Sequence, residues 1–443
     1  MSFLSLTDAD REAMLAEIGV DSVDELFRDI PAGMRLDRAL DLEPPLTELE
    51  LQRHLEELAA RNVDTTKELS FLGAGIYDHH VPAIADAVLQ RGEFLTAYTP
   101  YQPEMSQGIL QAIFEYQTVI CELTGMDVSN ASGYDGTVVA ADACLIAKHA
   151  TGRSKVVVTE ATNPQVRQVV KTYARGFGLD VVEVPHRAGA TDADEVASAS
   201  QDAAAVIFQQ PNFFGVLEPA PDLATAANDA GALAIAHVDP MSLGVLEAPG
   251  AYGCAIAIGE GQGTGNYPAY GGPHYGFLAA RNEFTRRMPG RIIGETTDLD
   301  GERAYVLTLQ TREQHIRREK ATSNITTNQT LLALQGLVTL SWLGPHGIRD
   351  VGETCMSLGA YAQEQLGLEL VSANRPTFKE FAVRVRRSAR DVVRDARARG
   401  VHPGYALGRD YEGLDDALLV CVTEKRTPAD IDRLAEVLHE VAA

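Results

Sequence analysis

Lysine is scarce in this chain. Only seven of its 38 basic residues are lysine (Lys67, Lys148, Lys155, Lys171, Lys320, Lys379 and Lys425), and the interval between Lys171 and Lys320 has none. That stretch therefore offers no amine nucleophile. Cysteine is also sparse: Cys121, Cys144, Cys254, Cys355 and Cys421 are odd in number and far apart. With no C-x-x-C pair, they argue against a zinc or dithiol centre and read as small buried apolar residues. Positive charge is short, 38 Lys and Arg against 62 Asp and Glu for a net −24, which disfavours nucleic acid and anionic lipid as partners. No apolar run approaches the roughly 18 residues of a membrane span. The opening MSFLSLTDADREAML has early acidic residues and no apolar h-region, which points to the cytoplasm rather than export.

What is present is a long, globular composition. At 443 residues with 45% hydrophobic side chains, a large domain plus a smaller one is expected. The acidic, lysine-poor balance suits the cytosol of a high-salt organism, where screening tempers self-repulsion; an ordinary acidic protein from a high-GC genome is the alternative. Residues 1–70 read as a helical extension, with DADREAMLAEIG and LTELELQRHLEELAARN at helical spacing. Residues 71–330 alternate strand and helix. KVVVTE, DVVEVP, AAVIFQQ, LAIAHVD, CAIAIG and GFLAAR are the candidate strands of a mainly parallel sheet. Residues 331–443 open helix-rich and then run strand, helix, strand, helix, which suits a small α+β domain.

Three segments carry candidate chemistry. TAYTPYQPE sets Pro100 and Pro103 beside Tyr98, Tyr101, Gln102 and Glu104, a stiff loop able to present phenols, an amide and a carboxylate to a ligand, or else a proline-kinked helix entry. SNASGYDG precedes a helix, so the amides of Ser132 to Gly136 suit either an anion cup or an ordinary N-cap. The run TLQTREQHIRREKATSNITTNQT gathers Arg312, His315, Arg317, Arg318, Lys320, Thr322, Ser323 and Thr326, donors for a phosphate or carboxylate, or a solvated charged face. His79 and His80 are adjacent and lack a third ligand at metal spacing, so they read as capping or packing residues.

Between His237 and Phe277, HVDPMSLGVLEAPGAYGCAIAIGEGQ leads to YGGPHYGF. This stretch resembles the cofactor-anchoring region of pyridoxal-phosphate (PLP) enzymes, which hold PLP on a lysine amine past a strand-end aspartate that pairs with the ring nitrogen. Asp239 matches that aspartate. Gln262 stands where the lysine is expected, and an amide nitrogen has no basic lone pair with which to condense. Because the interval is lysine-free, no residue nearby in sequence takes over.

Together with FLTAYTPYQPEMSQG, SNASGYDG, PGRIIGETTD and LTLQTREQHIRREKATSNITTNQ, these motifs resemble the N-terminal-type subunit of the glycine cleavage system P-protein over most of the chain. The resemblance implies PLP-dependent transferase fold type I and the activity of glycine dehydrogenase (decarboxylating). It implies a PLP-bearing second subunit in an α2β2 assembly and transfer of the aminomethyl group to the lipoyl arm of H-protein. In that arrangement Tyr98, Tyr101, Gln102 and Glu104 contact glycine or relay protons, while Thr322, Ser323, Asn324, Arg318 and Lys320 approach PLP held by the partner. A self-sufficient PLP lyase and a catalytically silent scaffold are the competing readings.

Overall fold

Short, nearly continuous apolar runs build the central sheet. In the computed structural model, which describes residues 5–373 and 375–442, all six strands read from the sequence form: Lys155–Thr159, Asp180–Val184, Ala203–Gln210, Leu233–Val238, Ile256–Glu260 and Gly276–Ala280. A short strand, Val128–Ser129, completes a seven-stranded sheet. Its spatial order is Val128–Ser129, Gly276–Ala280, Ile256–Glu260, Leu233–Val238, Ala203–Gln210, Lys155–Thr159, Asp180–Val184. The strands from Ile256 to Asp180 pair in parallel, and Gly276–Ala280 is antiparallel to both of its neighbours.

Successive side chains point to opposite faces of a strand, so both faces of this sheet are apolar. Val157, Val206, Phe208 and Ala236 pack with Tyr116, Ile120 and Leu337 on one face. Val156, Val158, Ile207 and Ile258 pack with Val139, Ala143 and Val170 on the other. Helices Gln107–Thr124 and Thr330–Leu366 therefore cover one side, and Gly136–Thr151 and Pro164–Phe177 the other. Such two-sided cover is what a buried parallel sheet requires. Helix Thr330–Leu366 kinks at Gly344, whose φ is 61°, followed by Pro345, which has no N–H to donate to the helical ladder.

The chain divides into two compact units, Met1–Val63 and Asp64–Ala443. The first contains two helices, Asp8–Ile18 and Glu48–Ala59, each opened by a threonine capping box at Thr7 or Thr47; none of residues 5–63 is buried. Within the second, Glu380–Arg384, Ala417–Cys421 and Tyr405–Ala406 form a three-stranded antiparallel sheet. Helices Ala389–Arg397 and Pro428–Val441 pack on it through Val392, Ile431 and Leu434. Leu69–Ser70 pairs with Val401–His402. Among the described residues no helix is long and apolar enough to cross a membrane.

Candidate functional site

The parallel strands end where open α/β sheets bind ligands. At that edge a cavity of about 60 Å³ is lined by Gly75, Tyr77, Gly136, His237, Asp239 and Glu260 among others. Asp239 follows strand Leu233–Val238, and its Oδ1 accepts from the Met241 amide at 3.0 Å, closing the turn at Pro240. Its other oxygen faces a residue far away in sequence, as the Lys379 Nζ lies 2.6 Å from Asp239 Oδ2.

Lys379 is 1% exposed and enters the edge from the segment just before strand Glu380–Arg384. Its Nζ is also 2.8 Å from His79 Nε2 and 3.4 Å from the centre of the Tyr77 ring. Burial alone lowers an ammonium pKa, but the Asp239 charge and hydrogen bond, with Cys421 and Cys355 nearby, hold Lys379 above its ordinary value. The ammonium therefore keeps its proton and donates to Nε2. The network then assigns the ring proton to Nδ1, which lies 2.6 Å from Glu424 Oε2. Burial pushes the Glu424 carboxyl up, but the hydrogen bonds from His79 and from the His80 amide outweigh it and bring it down to about 2. Tyr77 donates its hydroxyl to Glu380 Oε2 at 2.8 Å, and the Ala74 amide donates to Glu380 Oε1 at 2.7 Å. Burial raises Glu380 to about 7.

His79, Cys355 and Glu424 place ligand atoms within 4.8 Å of one another, so His79 is more than a capping or packing residue. Burial and the Glu424 charge push the Cys355 thiol up to about 12, and both ring nitrogens of His79 are already taken by Lys379 and Glu424. The cluster is a hydrogen-bonded relay with the Lys379 ammonium at one end.

Gln262 is fully buried and its amide is fully used. Its Nε2 donates to the carbonyls of Tyr77 at 2.9 Å and Asn266 at 2.6 Å, while its Oε1 accepts from the Tyr77 amide at 2.8 Å. The helix start at Gly136 is likewise occupied, and the N-cap alternative describes it. Asp135 Oδ1 accepts from the amides of Thr137 and Val138, both at 2.8 Å. Glu260 Oε2 accepts from the Gly136 amide at 2.9 Å, and Oε1 from the Gln262 amide at 3.1 Å. A Cβ on Gly136 would meet the Glu260 nitrogen at 2.8 Å, so strand end and helix start are in direct contact. His237, buried in the cavity wall, has no hydrogen-bond partner on either ring nitrogen among the described residues, and burial lowers it to about 4. The PLP that the resemblance implies does not fit here as a covalent cofactor: position 262 has no amine, and Lys379, spent on Asp239, has no free lone pair.

Of the residues expected to act, Asp239 and Gly136 line this cavity, whereas Tyr98, Tyr101, Gln102, Glu104, Arg318, Lys320, Thr322, Ser323 and Asn324 do not. The loop Thr96–Ser106 leaves Tyr98, Gln102 and Glu104 exposed, Tyr98 at 96%. Pro100 is buried, and Tyr101 is held by its hydroxyl to Asn328 Oδ1 at 3.3 Å and by the Arg291 guanidinium 5.3 Å from its ring centre. Arg291 pairs with Glu313 and donates to the Thr326 carbonyl at 2.9 Å. The two expected segments therefore meet, Tyr101 beside 326–328. Ser323 is buried, its Oγ accepting from the Ile325 amide at 3.3 Å, and burial raises the Asp142 carboxyl to about 7. Thr322 is half-buried, whereas Arg318, Lys320 and Asn324 are exposed. Sequence reasoning missed Lys379, Glu380, Glu424 and Glu260. The one available signal was the K-E dipeptide at the start of an otherwise apolar strand, in FKEFAVRV.

Residues 1–438 match the model of the Glycine cleavage system P-protein family. A probable glycine dehydrogenase (decarboxylating) subunit 1 of Moorella thermoacetica is 49% identical over 448 residues, covering all of both chains. One from Bacillus subtilis is 46% identical over 442 residues, 99% of this chain and 98% of its own length. Among solved structures, a crystal structure of glycine decarboxylase (P-protein) of the glycine cleavage system in inhibitor-bound form aligns over both full chains, with TM-score 0.90 and 42% identity. An aspartate aminotransferase from Thermus thermophilus, 16% identical, shares the fold alone, covering 84% of this chain and 99% of its own at TM-score 0.57. The architecture is PLP-dependent transferase fold type I. With the family match running nearly end to end, this chain belongs to the glycine cleavage system P-protein family.

Proposed function

We propose that this chain works as the subunit of glycine decarboxylase that carries no Schiff-base lysine, active only beside a second, PLP-bearing subunit in an α2β2 complex. The observation that carries this reading is the buried, fully hydrogen-bonded Gln262 amide in a chain that otherwise matches the family throughout. On the partner, PLP supplies the electron sink for loss of CO2 from glycine, and the aminomethyl group passes to the lipoyl arm of H-protein. The acidic composition suits a high-salt cytoplasm.

This chain's part is to complete the partner's pocket. Tyr98, Gln102 and Glu104 keep unspent hydrogen-bonding capacity on a loop fixed by buried Pro100 and by Tyr101. A loop held in this way positions a carboxylate and phenols without ordering them at each turnover. Glu104 and Tyr101 would bind the glycine ammonium or move its proton. Thr322, Ser323 and Asn324 would face the phosphate, with Arg318 and Lys320 as supporting cations. A silent scaffold differs only in that these side chains would be dispensable.

The test is glycine-dependent CO2 exchange with lipoylated H-protein, using each subunit alone and both mixed. Activity is expected from the mixture only, and exchange by this chain alone would overturn the reading.

A further inference from the structure

PLP in this fold needs three things from its own chain: an amine for the aldehyde, a carboxylate for the ring nitrogen, and free amides at a helix start for the phosphate. Here each has an occupant from the same polypeptide. We propose that the chain's own cofactor pocket is sealed from within: the Lys379 ammonium stands in for the ring nitrogen at Asp239, Asp135 and Glu260 take the helix-start amides, and the Gln262 amide pins the Tyr77 segment across the mouth. The missing amine is one part of a concerted replacement.

The geometry supports each part. Lys379 holds Asp239 Oδ2 at 2.6 Å while Oδ1 accepts from the Met241 amide at 3.0 Å, so both oxygens of that carboxylate already have a donor from the chain itself. Gly136, Thr137 and Val138 already give their amides to carboxyl oxygens at 2.8–2.9 Å. The cavity that remains, about 60 Å³, is well below the roughly 300 Å³ at which ligand pockets begin. The seal also fastens the small antiparallel sheet to the large one. Lys379 and Glu380 grip Asp239, Ala74 and Tyr77, while Lys425 and Arg426 both pair with Asp78 at 2.6 and 3.0 Å. A lysine restored at position 262 would therefore be insufficient to recover PLP binding.

The inference rests on the reading that the reactive cofactor belongs to the partner, and the test keeps the two separable. The native full chain is incubated with PLP, reduced with borohydride and mapped by peptide mass. Adducts are expected on exposed lysines such as Lys320 and none on Lys379; an adduct at Lys379 as abundant as at Lys320 would overturn the seal. Gln262→Lys, checked for folding by circular dichroism, is expected to trap no PLP at position 262, and stoichiometric trapping there would likewise overturn it. The triple variant Q262K/E260A/K379M is expected to trap at least tenfold more at 262 than Q262K. A folded triple variant without that gain counts against the seal, and the native-chain map decides alone where the variant does not fold. A mixed complex that exchanges CO2 while the native chain traps PLP at Lys379 would remove the seal and leave the proposed function standing.

Discussion

Two regions of this molecule hold the same kinds of side chain and use them oppositely. Around Asp239, a phenol (Tyr77), carboxyls (Glu380, Glu424), an amide (Gln262) and a cation (Lys379) are each satisfied by another group of the chain. On the Thr96–Ser106 loop, Tyr98, Gln102 and Glu104 offer the same chemistry to solvent. Residue type alone does not mark a working site. What separates the two is unspent hydrogen-bonding capacity, which a buried network has already used for stability and a presented loop retains for a ligand or partner.

The sharpest way to break this comparison is to remove Lys379. Lys379→Met leaves the mostly buried Asp239 carboxylate, its side chain 10% exposed, without its cation, and removing one member of a buried pair costs up to about 3–5 kcal/mol. Denaturant unfolding should show that loss, and the double variant D239N/K379M should recover most of it. Glu104→Gln on the loop should change stability by no more than about 0.5 kcal/mol, as surface substitutions do. Equal losses at the two places would end the distinction.

The loop should show its effect in activity instead. In the reconstituted complex, replacing Tyr101 with Phe or Glu104 with Gln is expected to cut glycine-dependent CO2 exchange tenfold or more, about 1.4 kcal/mol of barrier. Unchanged exchange in both variants would favour the silent scaffold.

How much of this was legible follows from the range of the interactions. Val156 and Val158 on one face of the sheet and Val157 on the other form a local apolar run, and such runs between helix-like segments located the long strands. Val128–Ser129 is two residues long, below any periodic signal. The hairpin Ile292–Thr297 with Arg303–Thr308 went unread because alternation in IIGETT is broken by Gly294. The absence of an amine at 262 was visible directly. Its compensation was not: Lys379 and Asp239 are separated by 140 positions, 379 − 239, and only the fold brings them together. The lysine-free interval is a fact along the chain, whereas Lys379 arrives across it.

A smaller effect comes from the carboxyls that burial has raised. Asp142 and Glu380 lie at about 7 and Glu260 at about 8 in the folded chain, against 3.8 to 4.5 ordinarily. A carboxyl with a raised folded pKa holds an extra proton in the native state, so its contribution is fully present below the unfolded value and is lost as pH rises through the folded one. His237, lowered to about 4 by burial, acts in the opposite sense between there and its ordinary 6.5. The two effects oppose each other below about 6.5, and above it only the carboxyls titrate. The melting temperature, measured in high salt, should therefore fall between pH 6.5 and 8. Asp142→Asn should flatten that slope, and a slope unchanged in the variant would exclude Asp142 as a source.

The least effect, and the one that treats both regions alike, is screening. A net charge of −24 repels itself across the surface, and the Debye length shrinks from about 10 Å at 0.1 M salt to about 3 Å at 1 M. Exposed carboxylates such as Glu104 feel this change, while the Lys379–Asp239 pair, whose side chains are 2% and 10% exposed, feels it far less. Melting in molar KCl should thus exceed melting in dilute buffer by roughly a few degrees. The increment should be nearly the same in the native chain and in D239N/K379M, since that pair is screened far less than the exposed carboxylates. A chain more stable in dilute buffer would remove the high-salt reading. An increment that vanished in the double variant would show that ions reach the interior and that the network around Asp239 is open.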